Sequence, residues 1–194
     1  IHGGPAALGR VRELMRVVFG PAEGRINIDY RPVYPGVLLE DDILRVRAFP
    51  VEHRRAEAFG YSFEEKARRP FLPDKAAALG VPMGPIRRDL VAGQAVTLPD
   101  GRVVQPDEVL GEQIPGIKLV FVGDAGRVDN LVEHAAGADL LAIEATYVET
   151  EREVADAFGH LTARQAAWLA REAGVRNLVL HHISRRYNSK QILD

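Results

Sequence analysis

The chain has 194 residues and a formal net charge of -2, with 46% hydrophobic and 27% charged residues, a balance that excludes a disordered or collagen-like segment. This length predicts one compact domain with one core. The longest apolar runs, such as Leu119-Val120-Phe121-Val122 and Leu140-Leu141-Ala142-Ile143, fall far short of the roughly 20 residues a bilayer crossing needs, so no membrane span is expected.

The opening Ile1-His2-Gly3-Gly4-Pro5 reads as a strand end and turn with no signal peptide, and a start without methionine predicts a fragment with sequence missing upstream. Leu8, Val11, Leu14, Met15 and Val18 recur at helical spacing and predict an amphipathic helix closed by Gly20-Pro21. Strands are expected at Val37 to Leu39 and Ile43 to Phe49, flanking an acidic turn at Asp41-Asp42. From Tyr61 to Pro115 seven prolines prevent long elements. This excursion is expected to hold a short helix near Lys75 to Leu79 and a hairpin turned at Pro99-Asp100-Gly101, between Ala95 to Leu98 and Val103-Val104. Thereafter come a strand at Leu119 to Val122, a turn at Gly123 to Gly126 and a helix around Val128 to Ala136. A strand at Leu140 to Glu144, a helix at Thr162 to Ala173 and a strand at Asn177 to His181 complete an alternation that predicts an α/β fold.

The absence of cysteine removes disulfides, thiolate metal sites and thiol nucleophiles, so any metal must be held by histidine and carboxylate. It also suits a cytoplasmic protein. His53, Asp124 and His182 each stand just past an apolar strand, where α/β folds place reactive groups. Two imidazoles and a carboxylate suit zinc, manganese or other divalent ions. The same residues also fit hydrogen-bonded structural histidines and a helix-capping aspartate. Of the 25 basic residues 21 are arginine, which suits bidentate phosphate binding but also follows from GC-rich coding.

Five motifs then occur in order: Val51-Glu52-His53 with Phe59-Gly60-Tyr61, Gly123-Asp124-Ala125-Gly126-Arg127, Ile143-Glu144-Ala145-Thr146-Tyr147, His160-Leu161-Thr162-Ala163, and His182-Ile183-Ser184-Arg185-Arg186-Tyr187. With Gly80-Val81-Pro82-Met83-Gly84-Pro85 they cover nearly the whole chain and resemble the C-terminal part of ribonuclease Z, a metallo-β-lactamase-fold endonuclease family that trims the 3′ trailer of precursor tRNA. The resemblance implies an αββα sandwich, incomplete at its N-terminus. Residues 1–194 would form that partial domain, and residues 61–115 a protruding tRNA-binding arm within it. It further implies two divalent ions, zinc or manganese, with His53 on one, Asp124 bridging and His182 on the other. His160 would act at the scissile phosphate, with Glu144 favouring its charged form. Ser184, Arg186 and Tyr187 would bind substrate phosphate. On the arm, Lys66, Arg68, Arg69, Arg87 and Arg88 would contact the tRNA backbone across a homodimer.

The chain departs from the family in lacking the His-x-His-x-Asp-His motif, without which three ligands cannot hold two metals and the chain alone is expected to be inactive. Ala125, Ile143 and His181 replace the usual threonine, histidine and threonine, and Ile143 puts hydrogen bonding around Glu144 in question. His134 and His2 have no family role and are expected at the surface. The alternatives are a hydrolase of the same superfamily acting on a small ester, sulfate or lactone, and a non-catalytic RNA-binding module.

Overall fold

The structure, a computed structural model, describes residues 1–20 and 26–193; Pro21, expected to close the first helix, lies outside them. Contacts divide the chain into two compact units, Ile1–Glu65 with Ile117–Asp194, and Lys66–Gly116. The single core expected from length is therefore two. No helix among the described residues is long and apolar enough to cross a membrane.

The larger unit begins with β1 (His2–Gly3), which pairs in parallel with β2 (Arg31–Pro32). Between them lies α1 (Pro5–Phe19), where Pro5 supplies the preset φ of a first helical turn. Gly20 closes the helix with φ 50° and returns its N–H to the Arg16 carbonyl. A six-stranded sheet follows, built from β3 (Gly36–Glu40), β4 (Leu44–His53), β5 (Ala56–Glu65), β8 (Lys118–Val122), β9 (Leu140–Glu144) and β10 (Leu178–His181), with β6 (Val96–Thr97) and β7 (Val103–Val104) belonging to the smaller unit. Its spatial order is β10-β9-β8-β5-β4-β3. The β8, β9 and β10 strands are parallel, and the rest pair antiparallel.

Alternation decides what each face of this sheet meets. One face carries Phe49, Val51, Val120, Val122, Leu141 and Ile143 into a core closed by α5 (Val132–Ala135) and α7 (Ala163–Glu172), from which Ala135, Ala166 and Leu169 descend, with Leu131 of the 3-10 turn Asp129–Leu131 ahead of α5. The other face carries Phe63, Phe121 and Val179, each more than a third exposed. The described residues thus form a sheet with a helical layer on one side, as the metallo-β-lactamase expectation requires of this part of the sandwich. The β5 strand was not expected as a whole, because its core-facing residues Ala58, Gly60 and Ser62 are small. Smallness there is needed: a Cβ on Gly60 would lie 2.3 Å from the Phe49 ring.

The smaller unit starts at Lys66 rather than Tyr61, because Tyr61 to Glu64 pair with Phe121 to Lys118 inside the sheet. It contains α2 (Pro73–Ala78), α3 (Ile86–Val91), the hairpin of β6 (Val96–Thr97) and β7 (Val103–Val104), and α4 (Pro106–Val109). Ala76, Val81, Leu90, Val96, Leu98, Val104 and Val109 bury one another in a core of their own. The expected hairpin turn forms, with Gly101 at φ 86° and the Asp100 carboxylate accepting the Arg102 N–H. Two of the five cations expected on RNA are used internally: Arg69 donates to the Gly111 and Leu110 carbonyls and pairs with Asp107, and Arg87 donates to Val81 and Pro82. Arg68 and Arg88 are exposed.

Candidate metal centre

Sheet topology explains how residues 71 and 58 positions apart come together. Three parallel neighbours end at the same edge of the sheet, so the residues after β8, β9 and β10 emerge side by side. Asp124 follows β8, Glu144 ends β9, and His182 follows β10. His53 arrives from the other direction, as the last residue of β4 at the tip of the β4–β5 hairpin. That tip is a two-residue turn, Arg54-Arg55, with Arg54 at φ 53°. His182 likewise has φ 58°, a strained backbone for a residue with a side chain and one of only two such positions among the described residues.

His53 Nε2 lies 4.0 Å from Asp124 Oδ2, and His182 Nδ1 lies 3.5 Å from Asp124 Oδ1. The hydrogen bonds assign the imidazole tautomers. His53 Nδ1 is 2.8 Å from the Gly159 carbonyl, which only accepts, so Nδ1 carries the proton and Nε2 keeps a lone pair. The Thr146 hydroxyl donates to Glu144 Oε2 at 2.6 Å and therefore accepts from His182 Nδ1 at 2.8 Å, which leaves His182 Nε2 unprotonated. In the neutral rings these bonds select, each imidazole turns a lone pair outward beside the Asp124 carboxylate, a donor set that fits a divalent cation.

Glu144 is fully buried, yet among the described residues no arginine meets it. Its Oε1 accepts the Ala125 N–H and His160 Nδ1, each at 2.8 Å. Its Oε2 accepts the Thr146 hydroxyl and the N–H groups of Thr146 and Leu161. One ligand atom each from Asp124, Glu144, His160 and His182 lie within 4.8 Å of one another, a grouping that could itself hold an ion. Five donors already occupy the Glu144 oxygens, so we read Glu144 as the hub that orients its neighbours rather than as a ligand. Ile143 does not disturb this network, because its side chain points into the core. His160 Nδ1–H is committed to Glu144 and its ring stands 5.1 Å from His53 and 5.2 Å from His182.

Beside this centre, Ser184, Arg186 and Tyr187 lie on one loop, held by the Ser184 N–H donating to the Thr146 carbonyl. Arg186 pairs with Glu151 at 2.9 Å and stacks over Tyr147 at 5.1 Å, and the Tyr187 hydroxyl donates to Glu151. The Tyr187 hydroxyl and then Arg186 hold the Glu151 carboxyl below its usual range, while burial and Glu151 push the Tyr187 phenol up. Two contributors escaped sequence reasoning. Thr146 and the Gly159 carbonyl set both tautomers, and only the position of Thr146 two residues beyond a strand-end glutamate could have signalled either. Of the remaining histidines, His181 stacks on Phe121 and bonds the Val122 carbonyl, and His2 is exposed. His134 is half-buried and stacked on Phe49 at 4.3 Å, rather than a plain surface group.

The model of the Beta-lactamase superfamily domain matches residues 97–183. Ribonuclease Z of Bradyrhizobium sp. is 44% identical over 193 residues, covering 100% of this chain and 64% of that protein. Ribonuclease Z of Haloferax volcanii is 41% identical, covering 96% of this chain and 59% of the relative. The chain thus spans somewhat under two thirds of the length of these curated relatives. Among solved structures, the short form of human tRNase Z aligns with a TM-score of 0.55 at 19% identity, over 96% of this chain and 60% of that one, a likeness of fold.

Proposed function

We propose that this chain, whose fold is that of the metallo-β-lactamases and whose sequence is that of a ribonuclease Z relative, is part of a metal-dependent endoribonuclease that removes the 3′ trailer from precursor tRNA. The observation that carries this reading is the convergence of His53, Asp124 and His182, with the Glu144–His160 pair beside them. His53 and Asp124 would hold one divalent ion and Asp124 and His182 a second, zinc or manganese. Such ions, when bound, supply an activated water and neutralise charge at phosphorus.

The chain's own residues do the rest. His160, held through Nδ1 by the buried Glu144, presents Nε2 to the scissile phosphate and supplies a proton to the leaving 3′ oxygen. The Ser184 hydroxyl, Arg186 and Tyr187 bind phosphate oxygens, with the substrate taking Glu151's place on Arg186 and Tyr187. Exposed Arg68 and Arg88 contact the tRNA backbone, in a homodimer whose partner presents the 66–116 unit. A cysteine-free chain suits the cytoplasm for this work. Relatives named ribonuclease Z along the whole chain weigh against a small-ester, sulfate or lactone substrate. Three ligands leave two coordination shells incomplete, so the 194-residue chain alone is predicted to be inactive.

The test is cleavage of a precursor tRNA by the full reading frame, with metal analysis. Trailer removal that disappears together with bound metal in His53→Ala and Asp124→Ala supports the reading. A folded, metal-free protein that binds tRNA without cutting it sinks the reading and favours the binding module.

A further inference from the structure

A second cleft, of about 420 Å³, opens next to the metal centre and takes no part in the chemistry above. Its walls are the loop at Gly126 and Arg127, the helix α6 (Arg152–Phe158) with Arg152 and Asp156, and α7 with Arg164 and Trp168. The four-residue spacing of Arg164 and Trp168 puts them on one face of α7, while Ala166, Leu169 and Ala170 bury the other. Trp168 keeps 37% of its surface exposed, and it is the chain's one tryptophan. Arg127 is paired with Asp129 and Glu52, and Arg152 with Glu149 and Asp156. Among the described residues Arg164 forms no ion pair within 4.0 Å and acts only at longer range on Glu149, whose carboxyl it helps hold low, so its donors are open to a ligand. The Asp129 and Asp156 carboxylates in the lining are matched by Arg127 and Arg152, so the chemistry on offer is an exposed aromatic face with one further cation, Arg164, beside it, which suits a nucleobase and its phosphate and takes any base.

The cleft and the metal centre share their supports. The Gly126 N–H donates to the Glu52 carbonyl at 2.6 Å, one residue before His53 and two residues after Asp124. The α6 helix runs into Gly159, whose carbonyl holds His53, and then into His160. The cleft is thus built on the segments that also carry His53, Asp124 and His160, the side from which a strand leaving a phosphate at the centre would reach it. We propose that the cleft is a subsite for an unpaired nucleotide of the trailer, its base stacked on Trp168 and its phosphate on Arg164. The proposal rests on the ribonuclease reading and deepens it.

A lone tryptophan makes the test direct, because the emission of the 194-residue chain reports this cleft alone. In EDTA, titration with a short oligouridylate is expected to quench Trp168 saturably, and Arg164→Ala to weaken the binding about tenfold. In the full reading frame, Trp168→Ala is expected to lower kcat/KM about tenfold for a precursor with a trailer of about ten nucleotides, to leave a one-nucleotide trailer unaffected, and Trp168→Phe to restore the long substrate. Absence of quenching, or equal slowing of long and short trailers, overturns the subsite. If the wild-type full reading frame cuts no precursor at all, the ribonuclease reading itself has failed; if it cuts and Trp168→Ala is indifferent to trailer length, only the subsite has.

Discussion

Glu144 and Glu151 flank the same centre and each gathers donors from distant parts of the chain. Glu144 has no exposed surface, and five donors from Ala125, Thr146, His160 and Leu161 fill its two oxygens. Glu151 keeps 31% of its side chain exposed and relies on Arg186 and Tyr187. The difference lies in what replaces a lost partner. Water can satisfy a group around Glu151, whereas a donor stripped of Glu144 has no alternative acceptor and bears its full desolvation cost. The buried carboxylate therefore fixes the geometry of the centre, and the exposed one is suited to giving up its partners to a substrate.

Breaking the buried side should have the largest effect. Glu144→Ala is predicted to destabilise the fold by about 3–5 kcal/mol in chemical denaturation, because several buried donors lose their acceptor at once. A loss under about 1 kcal/mol would mean that water reaches this carboxylate and the contrast with Glu151 is false. Gly60→Ala, on the same core face of the sheet, should cost about 1–3 kcal/mol, since its new methyl overlaps the Phe49 ring. Thr146→Val removes the hydroxyl that joins Glu144 to His182, and metal affinity measured by competition with a chelator should fall about 10–100-fold in a folded protein.

The exposed side should respond weakly and mainly to pH. Because the Glu151 carboxyl is held below its usual value of 4.5, its stabilisation is present above that pH and is lost as pH falls through the lower folded value. The melting temperature of Glu151→Gln should therefore lie slightly below wild type at neutral pH and converge with it in acid. A gap that persists in acid would show that packing, and not ionisation, joins Glu151 to its partners. His134 gives the smallest effect. Burial lowers its pKa from 6.5, so wild type loses stability as pH falls below that value and His134→Gln should flatten the pH 7 to 5 limb of the melting curve.

Much of the site was legible as positions. His53, Asp124, Glu144 and His182 all stand at the ends of apolar runs, and those runs are β4, β8, β9 and β10. Their purpose was not legible, since a strand-end histidine looks the same whether it binds a carbonyl or an ion. Two stretches hid for different reasons. The β5 strand places only Ala58, Gly60 and Ser62 on the core and shows no apolar alternation there. The α6 helix is short, and Ala155 is its one buried residue. In the 66–116 unit, prolines suggested an irregular excursion, whereas Val81, Leu90, Val96 and Val109 close a second core between the breaks.

By itself the sequence determined the α/β alternation, the chemistry available to a cysteine-free chain, and the strand ends where it would be displayed. These follow from local periodicity and composition, which a linear reading contains. Tertiary structure alone decided that the β8, β9 and β10 strands lie in parallel with their ends together, that Thr146 and the Gly159 carbonyl choose the tautomers of His182 and His53, and that Glu144 is sealed while Glu151 is open. Each of these depends on contacts between residues far apart in the chain, and on whether water can reach them, which no local pattern encodes.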